Sequence, residues 1–477
     1  MPPPHGETAR VDSRLRTLDK ETGWTRSARH SRTRTSPRSR ANQRRRGPRP
    51  IPTRTTSIPT RTTATRTPTR TTPASDGALA RCLEPVTVEE FLDEYWEQKP
   101  LVVQRGEQGR FDDLLSRADA ERLLCSSAIR YPAFRLVKDG TQLAVSDYTS
   151  DLSWRPTPFT GTADVDRVLA EFAGGASIVL QGLHFNWLPL ALFCRELEAR
   201  LGHAVQANAY YTPTSAQGLA VHHDTHDVFV LQVAGEKRWL VYEPVLELPL
   251  KDQRYSRELG EPGDPVHDLT LGPGDTLYLP RGWLHEALTS ESDSLHLTIG
   301  IKVYTWLDAV KAALAACADE LAFRRGVAEE EPPSERLLDA LAERLQPEDV
   351  ARRKRDRFVA TRRPIRDDQL EQLRALDRVD VDTELERRAS VLADLVEADD
   401  GPTLSFEGKR IVFPAHARAE LEHVVSTEGS FRPRELPGRL DDAGRLVLVR
   451  RLIREGFLRL SGSLGPDAAS PRTGAGV

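Results

Sequence analysis

The hydrophobic pattern changes period along the chain, and the changes mark out its organisation. Residues 1 to about 77 hold few apolar side chains and carry near-repeats such as Pro52–Thr56 and Pro59–Thr63. Folded sequence is expected from near Leu83. Val86 to Leu92 reads as a strand tip entering a helix, with Thr87 as N-cap and Glu90 at capping-box spacing. Tyr95 to Val103 reads as a helix stopped before Pro100 and followed by a strand. Helical spacing recurs over 110–124, 163–173 and 187–202. Ile178 to Leu180 reads as a strand, and Arg130 to Val145 as a hairpin around Asp139-Gly140. From Ala204 to Val303 short strands and turns dominate, which predicts the catalytic core. After Tyr304 the helical period returns over 306–325, 334–345, 347–358, 367–375 and 384–399. A hairpin around Gly408, helices over 415–425, 432–437 and 442–455, and a strand from Gly456 to Leu460 follow. That order predicts a winged-helix module, with a frayed tail over 462–477.

Composition adds bounds. Charged residues make up 29% of the 477 and hydrophobic residues 39%, a balance with room for two or three domains. No apolar run reaches the roughly 18 residues of a membrane helix, and no apolar core of a Sec-type signal follows Met1. Neither a membrane span nor a secretory signal is expected. Cys82, Cys125, Cys194 and Cys317 are far apart with no C-x-x-C pair. This argues against a zinc finger or disulfide framework and fits a reducing cytoplasm.

Charge is unevenly spread. About 18 of the 67 basic but only about 4 of the 71 acidic side chains fall in residues 1–75, leaving the remainder near −18. Residues 1–77, rich in Arg, Thr, Pro and Ser, cannot offset their ordering entropy and are expected to be disordered. They read either as a basic arm for nucleic acid or ribosomes, or as a tail from a start placed too far upstream, since Met1 is the only methionine. In the C-terminal module Arg445, Arg450, Arg451 and Arg454 are balanced by Glu435, Asp441, Asp442 and Glu455. A reader of phosphates carries an unbalanced basic stripe, so a structural or protein-contact role is expected there.

Candidate chemistry concentrates between Asn208 and Tyr242. His222, His223, Asp224, His226 and Asp227 crowd together ahead of the apolar run Val228–Val233. On a strand, His222 and Asp224 share one face and His223 takes the other. One His and one carboxylate are two thirds of a 2-His-1-carboxylate iron site. His285, delivered by the turn Pro280-Arg281-Gly282, is the candidate third ligand, because a jelly roll brings distant strands over one cavity. His226 lies on the same face and is an alternative ligand or a hydrogen-bonding neighbour. Spacing alone leaves this choice open.

The segments N-A-Y-Y-T-P, Q-G-L-A-V-H-H-D-T-H-D-V-F-V-L-Q-V-A-G-E-K-R-W and L-Y-L-P-R-G-W-L-H-E-A, with E-Y-W-E-Q-K-P-L upstream, resemble the JmjC-type ribosomal oxygenases over roughly residues 80–460. The resemblance implies an α+β chain. A double-stranded β-helix of the JmjC/cupin type would occupy 78–304 with its N-terminal helices, a helical dimerisation region 305–383, and a winged helix 384–461. It implies iron(II), 2-oxoglutarate and O2 as cofactor and co-substrates. His222, Asp224 and His285 take the metal positions, and His226 does not. Lys237 takes the position that holds the distal carboxylate of 2-oxoglutarate, and Asn208 a polar position nearby. On S-L-H-L-T-I-G, Gly300 stands where the family has a small hydroxylated residue, a contact that Thr298 or Tyr210 would replace. The implied activity is hydroxylation of an arginine or histidine of a ribosomal or other basic protein by a homodimer. Two other readings stand beside it: a metal cupin acting on a small molecule, and a ligand-sensing DNA-binding regulator.

Overall fold

The computed structural model describes residues 69–70, 77–153, 155–214, 216, 220–288, 291–327 and 335–462. The expected disorder of residues 1–77 and the expected tail 462–477 fall almost entirely outside them. At the boundary the expectation is corrected. A helix already spans Gly77–Leu83, and Thr69–Arg70 pairs antiparallel with Leu395 and Asp394. Ala78, Leu79, Cys82 and Leu83 are buried in the main core, so the fold starts before Leu83.

Two sheets face each other. The larger has eight strands in the order Leu101–Val103, Thr276–Leu279, Asp227–Ala234, Ser294–Lys302, Ala204–Thr212, Ser177–Leu180, Phe134–Lys138 and Thr141–Gln142. The smaller has Lys237–Tyr242 between His267–Leu271 and Leu284–Leu288. Val228, Val230, Leu277 and Leu279 of the first meet Trp239, Val241, Leu271 and Ala287 of the second in one cluster. Strands distant in sequence thus close over one interior, the double-stranded β-helix.

The period-2 rule divides the long central strands. Val205, Ala207, Ala209, Leu295, Leu297, Ile299 and Ile301 face outward into the main core. There they pack against helices Gly77–Leu83, Val88–Glu94 and Leu188–Leu201. The alternate residues Gln206, Asn208, Tyr210 and Thr212 pair with Gly300, Thr298, His296 and Ser294 and line the interior. Asp139 and Gly140, with φ of 49° and 77°, make the expected hairpin turn. Thr87 caps Val88–Glu94 by accepting from Glu90 N.

Elsewhere the expected bounds shift. The helix expected from 110 begins at Arg117, after the N-cap Ser116. The one expected over 306–325 ends at Ala316 and is followed by a 3-10 turn, Leu321–Arg324. The expected helix over 432–437 is a single 3-10 turn, Pro433–Glu435. The clearest correction concerns 384–399, expected to be helical, where strands Leu385–Arg387 and Ala393–Ala398 lie instead. Pairing with Leu458–Leu460 and with Gly401–Phe406 outweighs the helix propensity of its Glu, Arg, Ala and Leu residues. Helix Asp442–Glu455 packs its buried Leu448, Val449, Leu452 and Ile453 into a second core beneath these strands.

Candidate metal centre

The strand expected to carry His222 and Asp224 starts later, at Asp227. His222 is held upstream by a lone antiparallel bridge to His285: its N–H donates to His285 O at 3.1 Å, and its carbonyl accepts from His285 N at 2.8 Å. Asp224 follows in a loop, where its carbonyl accepts from Gly282 N at 3.1 Å. Gly282 sits at φ 96°, and a Cβ there would lie 2.5 Å from Leu246 O, so the turn that delivers His285 requires glycine. A backbone bridge plus a glycine turn therefore replaces the continuous strand in bringing the residues together.

One ligand atom from each of His222, Asp224 and His285 lies within 4.8 Å of the others. His285 Nε2 and Asp224 Oδ2 are 4.0 Å apart. His222 Nδ1 lies 2.8 Å from Ala220 O and His285 Nδ1 3.0 Å from Trp283 O. A carbonyl only accepts, so each Nδ1 carries the proton and each Nε2 keeps its lone pair, the tautomer of a metal ligand. Burial, then the neighbouring His222, lowers the His285 pKa to about 4. Burial alone would raise the Asp224 carboxyl, but His226, His285, His222 and His223 together hold it below its ordinary value. The donor set is neutral imidazole, neutral imidazole and carboxylate, which suits a divalent transition metal.

The other clustered groups are turned to different tasks. His223 is buried on the opposite side, with Nε2 3.0 Å from Gln253 O and its ring edge-on to Tyr255. Asp227 accepts from Arg281 N at 2.8 Å, and burial raises its pKa to about 6. His226 Nε2 is 2.8 Å from Gln206 Nε2. This pair fills the space beside Gly300, where a Cβ would come 3.0 Å from Gln206 Nε2 and 3.1 Å from His226 Nε2. The room that a hydroxylated residue would need at position 300 is already taken.

Lys237 is 2% exposed, and its Nζ donates to Thr212 Oγ1 at 2.9 Å, which in turn accepts from Ser177 Oγ at 3.0 Å. Among the described residues no carboxylate pairs with it, and burial lowers its pKa to about 7. Trp239 links this end to the metal cluster, with ring centroids 6.0 Å from His285 and 5.5 Å from His296. His296 stacks on Tyr210 and is held well below its ordinary pKa by burial and the Lys237 charge. Asn208 Oδ1 accepts from Gly182 N at 3.0 Å and faces Thr298 across the strand pair. Trp239 Nε1, His296 Nδ1 and Thr298 Oγ1 are buried without hydrogen-bond partners among the described residues. Unsatisfied donors and acceptors in the same barrel as a buried ammonium fit a polar, anionic guest. Thr212, Ser177, Trp239, His296 and Gln206 escaped the sequence reading. For Thr212 the signal was present, two residues beyond Tyr210 on the same strand face.

Residues 183–309 match the JmjC domain family. The chain is 35% identical over 222 residues to the bifunctional lysine-specific demethylase and histidyl-hydroxylase NO66 of Drosophila persimilis, covering 46% of this chain and 31% of that protein. It is 32% identical over 252 residues to ribosomal oxygenase 1 of Gallus gallus, covering 51% and 40%. The chain thus spans less than half the length of these relatives. Among solved structures it is similar to the Escherichia coli ribosomal oxygenase YcfD, at 20% identity and a TM-score of 0.48, covering 79% of this chain and 98% of that one. YcfD is also known in complex with cobalt and 2-oxoglutarate, at 19% identity and a TM-score of 0.47. Residues 183–309 of this chain are a JmjC domain, homologous to those of the ribosomal oxygenases.

Proposed function

We propose that the chain is an iron(II)- and 2-oxoglutarate-dependent dioxygenase that hydroxylates a protein side chain, an arginine or histidine of a ribosomal protein. The observation that carries this is the buried Lys237, without a carboxylate partner, in the same barrel as the His222, Asp224 and His285 cluster. His222 and His285 would hold the metal through Nε2 and Asp224 through its carboxylate. Lys237 would pair with the distal carboxylate of the co-substrate, and Thr212 keeps the ammonium aimed inward. Asn208 and Thr298, side by side on the interior face, would orient the co-substrate. Bound iron(II) with 2-oxoglutarate supplies activation of O2, and the products are hydroxylated side chain, succinate and carbon dioxide. The apolar cluster of Val228, Val230, Trp239 and Val241 keeps water from the reacting centre.

The names of the relatives favour a ribosomal substrate, and a folded region near −18 suits a basic one. Among the described residues no helix is long and apolar enough to cross a membrane, and four free cysteines fit a reducing cytoplasm. Trp306, Leu314 and Leu321, 72%, 45% and 68% exposed, would form the dimer face of the region 305–383. Residues 384–461 would act as a winged helix in a structural or protein-contact role. The test is succinate release from 2-oxoglutarate with iron(II) and a ribosomal protein extract, with the modified protein located by mass spectrometry. Absence of iron-dependent turnover with or without protein substrate would sink the reading.

A further inference from the structure

A second concavity lies outside the barrel, a cleft of ≈ 590 Å³ where the segment 361–367 crosses the end of the large sheet and the start of helix Leu188–Leu201. Its charge runs against that of the acidic folded region. Lys302, Arg362, Arg363 and Arg366 line it together with two carboxylates, Glu198 and Asp367, and Asp367 is already paired with Arg388 at 3.3 Å. Glu198 accepts from Val205 N at 3.1 Å and is paired with Arg195 and Arg362. Glu407, reached by Arg195 at 3.6 Å, is paired with Arg366. Lys302 and Arg363 are left without a carboxylate among the described residues. Their fields converge: Lys302, Arg362 and Arg363 all act with burial to lower the pKa of His184 in the cleft wall to about 4, and no carboxylate opposes them.

The helix adds to this. Its N-cap, Trp187, makes no side-chain capping bond, and Leu188 at its first turn lines the cleft. The positive end of a 14-residue helix therefore faces the same space. Beside it stands Phe185, 56% exposed, with the Arg363 guanidinium 5.2 Å from its ring centre. Cations, a helix N-terminus and an exposed aromatic ring together match a phosphate with a planar group attached.

We propose that this cleft binds a phosphate-bearing ligand, through Lys302, Arg363 and the start of helix Leu188–Leu201, with a base stacked at Phe185. The phosphate comes either from a free nucleotide or from single-stranded RNA, and two probes separate these sources. One is adenosine monophosphate followed by calorimetry, the other a fluorescent single-stranded oligoribonucleotide followed by anisotropy, each titrated into the full chain at two salt concentrations. Binding of either probe is expected, weaker at the higher salt. In Lys302→Glu/Arg363→Glu it should weaken by about tenfold or more, and in Lys302→Arg/Arg363→Lys it should persist. Tight oligonucleotide binding with weak mononucleotide binding assigns the site to RNA, and the reverse assigns it to a free nucleotide. Cobalt uptake at the His222 cluster, unchanged in both double variants, shows that they are folded. Binding of neither probe, or binding equal in the charge-reversed variant, overturns the proposal.

Discussion

The barrel interior and the C-terminal module treat a buried cation in opposite ways. In the module Arg388 is 3% exposed, and it meets Asp367 at 3.3 Å together with Asp368 and Gln369. Arg366 is paired with Glu407 and Arg355 with Asp394, so the charges that hold this module to its neighbours are matched within the fold. In the barrel Lys237 is equally buried and has one hydroxyl. A buried charge left unmatched is costly, and folds keep such groups where a ligand completes them. On the proposed function, the matched arginines serve structure and the unmatched lysine waits for the co-substrate.

The largest effects should come from the proposed metal ligands. His222→Ala and Asp224→Ala are expected to lose cobalt or iron uptake, read by calorimetry, and to bring turnover to background. His226→Ala, which removes only the partner of Gln206, should still take up metal. Retained metal in Asp224→Ala would break the ligand assignment.

The contrast itself is tested by two substitutions with opposite signs. Arg388→Met leaves the carboxylates of Asp367 and Asp368 without their buried arginine and should cost about 1.5–3 kcal/mol in chemical denaturation. Lys237→Met should stabilise the protein while abolishing 2-oxoglutarate binding. The folded pKa of Lys237 is about 7, against roughly 10.4 for an unfolded lysine. Between those values the unfolded chain holds the extra proton, so stability from this group rises with pH and its burial costs most at and below pH 7. At pH 7 the gain in Lys237→Met should be on the order of a few kcal/mol, vanishing towards pH 10.5. A destabilised Lys237→Met at pH 7 would show that the lysine is structural after all.

The same residue sets a pH dependence of binding. The ammonium, not the amine, pairs with a carboxylate, so binding takes up a proton once the pH exceeds about 7. The 2-oxoglutarate Kd should rise through that range by up to about tenfold per unit. A Kd flat from pH 6.5 to 8.5 would remove Lys237 from the co-substrate site.

What was legible in the sequence follows from the range of the forces involved. Alternation placed the core over 204–303, and Asp139-Gly140 placed a hairpin, because both are local. The proximity of His222, Asp224 and His285 needed the resemblance, since no local rule links residues some 60 apart. The segment 384–399 favours a helix in isolation, while Leu458–Leu460 and Gly401–Phe406 impose strand pairing from a distance. Lys237 follows a turn, where a lysine is ordinarily solvated. Position alone gives no hint of its burial; the resemblance implies an inward role, and the fold shows its Nζ meeting Thr212.

The smallest expected effect asks whether the unsatisfied hydroxyl of Thr298 also awaits a ligand. Its Oγ1 is buried with no partner among the described residues, on the interior face opposite Asn208. Valine has the same shape without the hydroxyl, so Thr298→Val removes a buried group that the protein itself does not satisfy. Stability should hold or rise by about 1 kcal/mol, because the desolvation cost goes and no internal bond is lost. If the hydroxyl meets the co-substrate, 2-oxoglutarate affinity should fall by about three- to tenfold. Thr212→Val is the control: its hydroxyl is the lone partner of Lys237 Nζ and also accepts from Ser177. That substitution should lower stability, since it leaves a buried ammonium without any acceptor. Equal stability losses in the two variants would mean that Thr298 is bonded within the fold, and the distinction between matched and waiting polar groups would then rest on Lys237 alone.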